Sequence, residues 1–217
     1  MEEVVNYLNS VRREYAGQEL TKKSVAENPF DQLSAWVEDA VNAKVIDPAA
    51  MILSTVDAEG KPTARTVLIR GREDNGIIFY TNYDSKKAKD LINNPYVAIT
   101  FLWIELDRQI RITGKAEKIS YEASQKYFSL RPRESQISAI ASEQSQVIES
   151  RKALEEAHSA TKEKFENIDS IPCPKNWGGF LTVVDSFEFW QGRPNRLHDR
   201  IRYSKDNESW KLDRLAP

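Results

Sequence analysis

From Met51 onward, apolar and polar residues alternate in short runs with the two-residue period of half-buried strands. The runs MILSTVD (51–57), TARTVLIR (63–70), IIFYTN (77–82), YVAITFLW (96–103) and RQIRITGKAEKI (108–119) carry this pattern. They are rich in β-branched and aromatic residues, which suit a pleated surface. Ala58-Glu59-Gly60 marks a turn, and Asp74-Asn75-Gly76 is a strong hairpin signal. Near the end of the chain the pattern predicts strands at about 180–184, 187–191, 197–203 and 210–212.

Elsewhere the period lengthens to that of a helix. Leu33, Trp36, Val37, Ala40 and Val41 recur on one face, with Asp31 as the expected cap and Pro48 beyond the end. Ser85 is placed to cap a short helix through Leu91, which Asn93-Asn94-Pro95 stops. Further helices are predicted at about 121–130, 134–141 and 149–165. Pro132 disfavours helical geometry at Arg131, so the chain should bend there. Ile171-Pro172-Cys173-Pro174-Lys175 reads as a stiff linker, and residues 1–28 as a mobile, partly helical arm. Strands joined by short hairpins, with a few helices that do not alternate with them, predict an antiparallel barrel and not a parallel doubly wound sheet.

Bulk properties narrow the function. The 217 residues carry a net charge of −2, so no global field favours nucleic acid or an anionic membrane. A lone cysteine rules out an internal disulfide framework and suggests a reducing, cytoplasmic setting. No apolar run approaches the roughly 20 residues of a membrane helix. The glycine-rich phosphate loops and the GxSxG elbow are missing, so a bound phosphate would be held mainly by side chains. His158 and His198 lie far apart with no partners at metal-ligand spacing, so no metal site is expected. His158 reads as a surface residue, and Cys173 as a linker residue more than a nucleophile.

Four cationic constellations remain. If RLHDR (196–200) is a strand, then Arg196, His198 and Arg200 share a face. That face is either a charged edge strand in water or, beside Trp190, Gly192 and Pro194, the wall of an anion site. In YFSLRPRES, Tyr127 and Arg131 are four residues apart on a helix and Ser135 follows the bend. The set suits a phosphate, or an ordinary helix end whose arginine meets the last carbonyls. Arg65 and Arg70 are an odd number apart, so parity points them to opposite faces: toward two ligands, or one toward solvent. Ser85-Lys86-Lys87 offers an anion site at a helix start, with solvated lysines as the alternative. Gln144-Ser145 adds neutral donors and says little alone.

In chain order, RREY, ARTVLIR, FYTN, SKKA, NNP, RQIRITGKAEK, YFSLRPRESQI, QSQVI, WGGF, FEFWQGRPNRLHDR and KLDRLAP resemble the pyridoxine (pyridoxamine) 5′-phosphate oxidase family. The resemblance runs from about residue 28 to 217. It implies a mainly β, split-barrel FMN-binding fold over residues 29–217 and a homodimer with FMN at the subunit interface. It also implies oxidation of C4′ of pyridoxine or pyridoxamine 5′-phosphate, with dioxygen reduced to peroxide. By this resemblance FMN would be held by Arg65, Thr66, Val67, Leu68, Ile69, Arg70, Tyr80, Thr81, Lys86, Lys87, Gln109, Gln144, Ser145, Trp190 and Arg200. The substrate phosphate would meet Arg70, Tyr127, Arg131 and Ser135, while Arg196 and His198 would face the ring as catalytic residues. Arg12 and Tyr15 would close over the site. Two positions depart from the family: Arg70 stands where lysine is usual, and Lys86 where arginine often stands. A fork and a point charge are not interchangeable, so altered affinity is expected there. A flavin reductase of the same barrel class would lack the Tyr127/Arg131/Ser135 set. A non-catalytic carrier of FMN or pyridoxal phosphate would not need RLHDR.

Overall fold

Turn chemistry and strand periodicity resolve into antiparallel pairs in the computed structural model, which describes residues 1–11 and 13–217. The expectation for Arg12 lies outside the described residues. Chain order is α1 (Glu2–Ser10), α2 (Pro29–Asn42), β1 (Ala50–Val56), β2 (Pro62–Leu68), β3 (Gly71–Glu73), β4 (Gly76–Asn82), α3 (Lys86–Asn93) and β5 (Tyr96–Trp103). Then come β6 (Arg108–Lys118), α4 (Tyr121–Ser129), α5 (Arg133–Ala141), α6 (Arg151–Phe165), β7 (Trp177–Gln191), β8 (Asp199–Asp206) and β9 (Ser209–Leu215). The strand order is β2-β1-β5-β6-β7-β4-β3, with β8 on β7 and β9 on β8. By contacts the chain divides into two units.

The larger unit is Ala49–Thr100 with Ile112–Asp185. β1 and β2 form a hairpin from Ala50↔Leu68 to Val56↔Pro62. The Asp57 carboxylate closes it by accepting the N–H groups of Glu59 and Lys61, and Gly60 supplies the left-handed φ of 81°. β4 is buried along almost its whole length because it pairs with β3 and β7, which explains its unbroken apolar run IIF. The strand core includes Met51, Leu53, Ile77, Phe79, Ile99 and Phe180. A second cluster packs Phe128, Ile137, Phe165, Ile171 and Trp177 around Cys173. Cys173 lies in the irregular stretch between α6 and β7, as the linker reading expects, but its thiol is a core residue, 5% exposed. Ser150 caps α6, which starts at Arg151, two residues inside the predicted limit of 149.

The smaller unit is Met1–Pro48, Phe101–Arg111 and Ser186–Pro217. Here Phe30 meets Phe187 edge-on at 5.0 Å, and Trp36 meets Phe189 at 5.1 Å. α2 starts earlier than expected. Asn28 is the cap, its Oδ1 accepting the Phe30 N–H at 2.9 Å, with Pro29 at the first helical position. Asp31 lies inside the first turn, where its charge suits the helix dipole. Residues 13–22 of the predicted arm are tied down: Arg13 donates to the Ile104 carbonyl, Leu20 N–H to Asp199, and Lys22 to the Leu212 carbonyl. α1 buries no residue.

Two strand expectations change. The runs 180–184 and 187–191 are one strand, β7, because the intervening polar pair finds partners within the ladder. Asp185 accepts a hydrogen bond from Thr113, and Ser186 donates to the Tyr203 carbonyl. Conversely, RLHDR is not a strand throughout. Residues 194–196 form a 3-10 turn, Asn195 and Arg196 adopt positive φ of 56° and 59°, and β8 begins only at Asp199. The alternation argument for Arg196, His198 and Arg200 fails with it.

Candidate functional site

A cavity of about 840 Å³ opens in the larger unit. β2 and the residues just after it supply Arg65, Thr66, Val67, Leu68 and Arg70. β4 supplies Tyr80 and Thr81, α3 Lys87, the α4–α5 bend Tyr127, Arg131 and Ser135, and the following loop Gln144. Asn82, Ser138 and Ser142 add polar groups to the lining, and Trp177 an aromatic one. Arg65 and Arg70 thus line the same cavity. Parity failed because β2 ends at Leu68, and Arg70 has left it, its N–H bonded to the Ile78 carbonyl at 2.8 Å.

Each cation is held differently. Arg65 is braced from behind, donating to the Leu53 carbonyl and to the Thr55 and Thr63 hydroxyls. Buried Asp90 accepts from both threonines and lies 4.0 Å from the guanidinium. Lys87 donates to Thr81 Oγ1 at 3.1 Å and to Gln144 Oε1 at 2.8 Å. Burial, and then the Arg65 charge, lower the Lys87 ammonium to about 8. Arg131 lies 4.7 Å over the Trp177 ring, and its buried Nη1 has no hydrogen-bond partner. Burial pushes this guanidinium below its usual range, the Tyr127 phenol opposes the shift, and Arg70 adds to it. Tyr80 and Tyr127 stack at 3.8 Å, and Trp177 continues the pile 5.4 Å from Tyr80. The result is a desolvated cationic pocket with an aromatic floor and at least one buried donor unspent, suited to an anionic ligand that carries a flat ring.

Not every expected residue is part of it. Ile69, Lys86 and Ser145 are outside the lining. Lys86 pairs with Asp90 at 3.2 Å and with Asp57 at 3.6 Å. Gln109, Trp190 and Arg200 belong to the smaller unit. Arg200 is engaged there by Glu188 at 2.8 Å and by the Ala216 carbonyl.

The smaller unit holds a second constellation. His198 packs against Trp190 at 4.7 Å and receives the edge of Tyr15 at 5.0 Å, while Tyr15 also meets Trp190 at 5.7 Å. Arg196 is exposed on its turn. Sequence reasoning missed Trp177, which stands just before the strand predicted at 180–184, and Arg193, whose guanidinium reaches the Gly17 carbonyl 176 residues away. It also missed Asp90, a carboxylate in a charged helix that shows its role only by being buried. Among the described residues, no group of three or more His, Cys, Asp or Glu is placed to hold a metal ion. No helix among them is long and apolar enough to cross a membrane.

Residues 37–163 match the family described as "Pyridoxamine 5′-phosphate oxidase", and residues 177–217 match "Pyridoxine 5′-phosphate oxidase C-terminal dimerisation region". The pyridoxine/pyridoxamine 5′-phosphate oxidase of Salinibacter ruber is 46% identical over 97% of this chain and 99% of its own length. That of Burkholderia lata is 47% identical over the same shares. The crystal structure of PhzG from Burkholderia lata, in complex with tetrahydrophenazine-1-carboxylic acid, aligns with a TM-score of 0.86 at 27% identity. It covers 93% of this chain and 99% of PhzG. A pyridoxamine 5′-phosphate oxidase-related, FMN-binding protein from Nostoc punctiforme shares the fold, with a TM-score of 0.69 at 19% identity, over 89% of this chain and 99% of its own.

Proposed function

This chain belongs to the pyridoxamine 5′-phosphate oxidase family, and on that premise we propose that it is an FMN-dependent oxidase of pyridoxine and pyridoxamine 5′-phosphate. The reaction takes a hydride from C4′ and a proton from its substituent, and dioxygen is reduced to hydrogen peroxide. The alcohol gives pyridoxal 5′-phosphate directly, while the amine gives an imine that water hydrolyses to the same aldehyde with release of ammonia. The observation that carries the reading is the orphaned, buried Arg131 Nη1 in a cavity shared with Tyr127, Ser135 and Arg70. Such a donor costs free energy until an anion accepts from it, and a phosphate monoester supplies three acceptor oxygens.

The residues present fit FMN as well as substrate. Arg65, Thr81, Lys87 and Gln144 are cations and neutral groups suited to its phosphate and ring edges, with Thr66, Val67 and Leu68 supplying strand backbone. When bound, FMN supplies the two-electron acceptor that no side chain offers. Tyr127, Arg131, Ser135 and Arg70 bind the substrate phosphate and so orient C4′. Arg196 and His198 are assigned to the pyridine ring, and Tyr15 to covering it. Residues 29–217 are assigned as the oxidase domain of a homodimer with FMN at the subunit interface; the 177–217 match supports the dimer.

A second reading rests on the likeness to PhzG with its bound tricyclic carboxylate, because a carboxylate can also accept from Arg131. One aerobic assay separates the two. FMN-loaded protein is expected to form pyridoxal 5′-phosphate from either B6 substrate, with peroxide in equal amount. Turnover of a reduced phenazine carboxylate alone would favour the second reading. Flavin-loaded protein that forms neither pyridoxal phosphate nor peroxide sinks the first.

A further inference from the structure

Neither charge pattern nor family resemblance singles out Arg193, yet it touches His198 through its backbone and holds its own loop through its side chain. Its N–H donates to His198 Nδ1 at 3.1 Å. A neutral imidazole carries one proton, and a ring nitrogen that accepts a hydrogen bond is not the one that carries it. The proton therefore sits on Nε2. Trp190 on one side and Tyr15 on another keep the ring from turning over.

The loop that presents this N–H is fixed on several sides. The Arg193 guanidinium donates from Nη1 to the Gly17 carbonyl at 2.7 Å and lies 3.5 Å from Asp199. Asp199 is itself buried, accepting the Leu20 N–H and pairing with Arg214. The Gly192 N–H donates to the Asp107 carbonyl at 2.8 Å. A side chain at Gly17 would collide with Gln191 and with the Gly192 carbonyl. Immediately downstream, Asn195 and Arg196 stand at positive φ, a conformation that non-glycine residues hold only when their surroundings impose it.

We propose that Arg193 is a positioning residue that presets His198 as the Nε2–H tautomer, so that the neutral ring meets its ligand as a hydrogen-bond donor and not as a base. The ligand atom facing it is then an acceptor, an oxygen or a ring nitrogen with a free lone pair. This role rests on the reading that His198 faces substrate; the tautomer itself does not.

The test is nitrogen NMR of FMN-loaded protein labelled with ¹⁵N-histidine, in mildly alkaline buffer. The chain has two histidines, so His158→Gln leaves only the signals of His198. The expected spectrum is a protonated Nε2 and a bare Nδ1. A protonated Nδ1, or averaging between the two forms, overturns the proposal. Arg193→Ala keeps the N–H but frees the loop from Gly17. It is expected to blur the tautomer preference and lower kcat on the order of tenfold with flavin content unchanged, and Arg193→Lys should recover most of both. An alanine variant with the parent spectrum and parent kcat overturns the part assigned to the guanidinium. Should alanine not fold, the parent spectrum and the lysine variant still decide the matter. A protein with the Nε2–H signature that makes no pyridoxal phosphate would break the oxidase reading and leave this one standing.

Discussion

Arg131 combines three features that rarely coincide on one guanidinium: half-burial, a Trp177 face beneath it, and a buried nitrogen with no acceptor. Removing it is expected to weaken ground and transition states alike. Arg131→Ala should raise KM for the phosphorylated substrate about 10- to 100-fold, the worth of one or two charge-assisted hydrogen bonds, with a much smaller change in kcat. An unchanged KM would remove Arg131 from the phosphate pocket. Arg196→Ala should do the reverse, lowering kcat while FMN stays bound; lost flavin with a normal rate per remaining flavin would reject that role. Lys87 makes a pH prediction. Its folded value of about 8 lies below the unfolded one near 10.4. Between these values the folded state binds fewer protons, so this group's contribution to stability rises with pH across that window. Anion affinity moves oppositely, because the charge is lost as pH passes 8. Flavin fluorescence titrations should therefore show FMN binding weakening from pH 7 to 9, and Lys87→Met should flatten that slope. At this scale, the Tyr127/Arg131/Ser135 set was legible because helical spacing and one proline dictate it. The choice between Lys86 and Lys87 was not. Adjacent helical positions point about 100° apart, and only burial shows which of them meets the cavity.

Helices and strands were legible wherever local chemistry settles them. Ser85 is an example: its buried hydroxyl accepts from the Ala88 N–H and donates to the Asn82 carbonyl at 2.7 Å. Ser85→Ala should cost about 1 kcal/mol, seen as a fall of roughly 2–4 °C in the melting temperature; no shift would mean the cap is dispensable. Gly114 makes a sharper case. A Cβ there would run into the Val183 carbonyl of the neighbouring strand, a backbone atom that cannot swing aside. Gly114→Ala should destabilise by about 1–3 kcal/mol in a denaturant titration. Strand limits were harder to read. Asp185-Ser186 looked like a break because sequence shows polarity but not the partners Thr113 and Tyr203 that satisfy it. The 196–200 run looked like a strand because nothing local announces that Asn195 and Arg196 turn left-handed.

For the whole molecule, antiparallel pairing and a mainly β class followed from short alternating runs and hairpin turns, and both stand in the structure and its solved relatives. The division into two units did not follow, because β5, β6 and β7 each pass from one into the other and no composition shift marks the crossing. The dimerisation match at 177–217 leads to an expectation that light scattering can check: twice the chain mass in solution. A stable monomer that retains FMN would contradict it. Cys173 has a further use. It is the chain's only thiol, and it is enclosed by Phe128, Ile137, Phe165, Ile171 and Trp177. With the residue only 5% exposed, attack by a thiol reagent is expected to be limited by opening of that apolar layer, so the labelling rate acts as a clock for local opening. Ligands that seat against Trp177 and Arg131 should slow the clock. The protein thus carries its own reporter of how firmly its binding pocket is shut, readable without a flavin signal or a turnover assay.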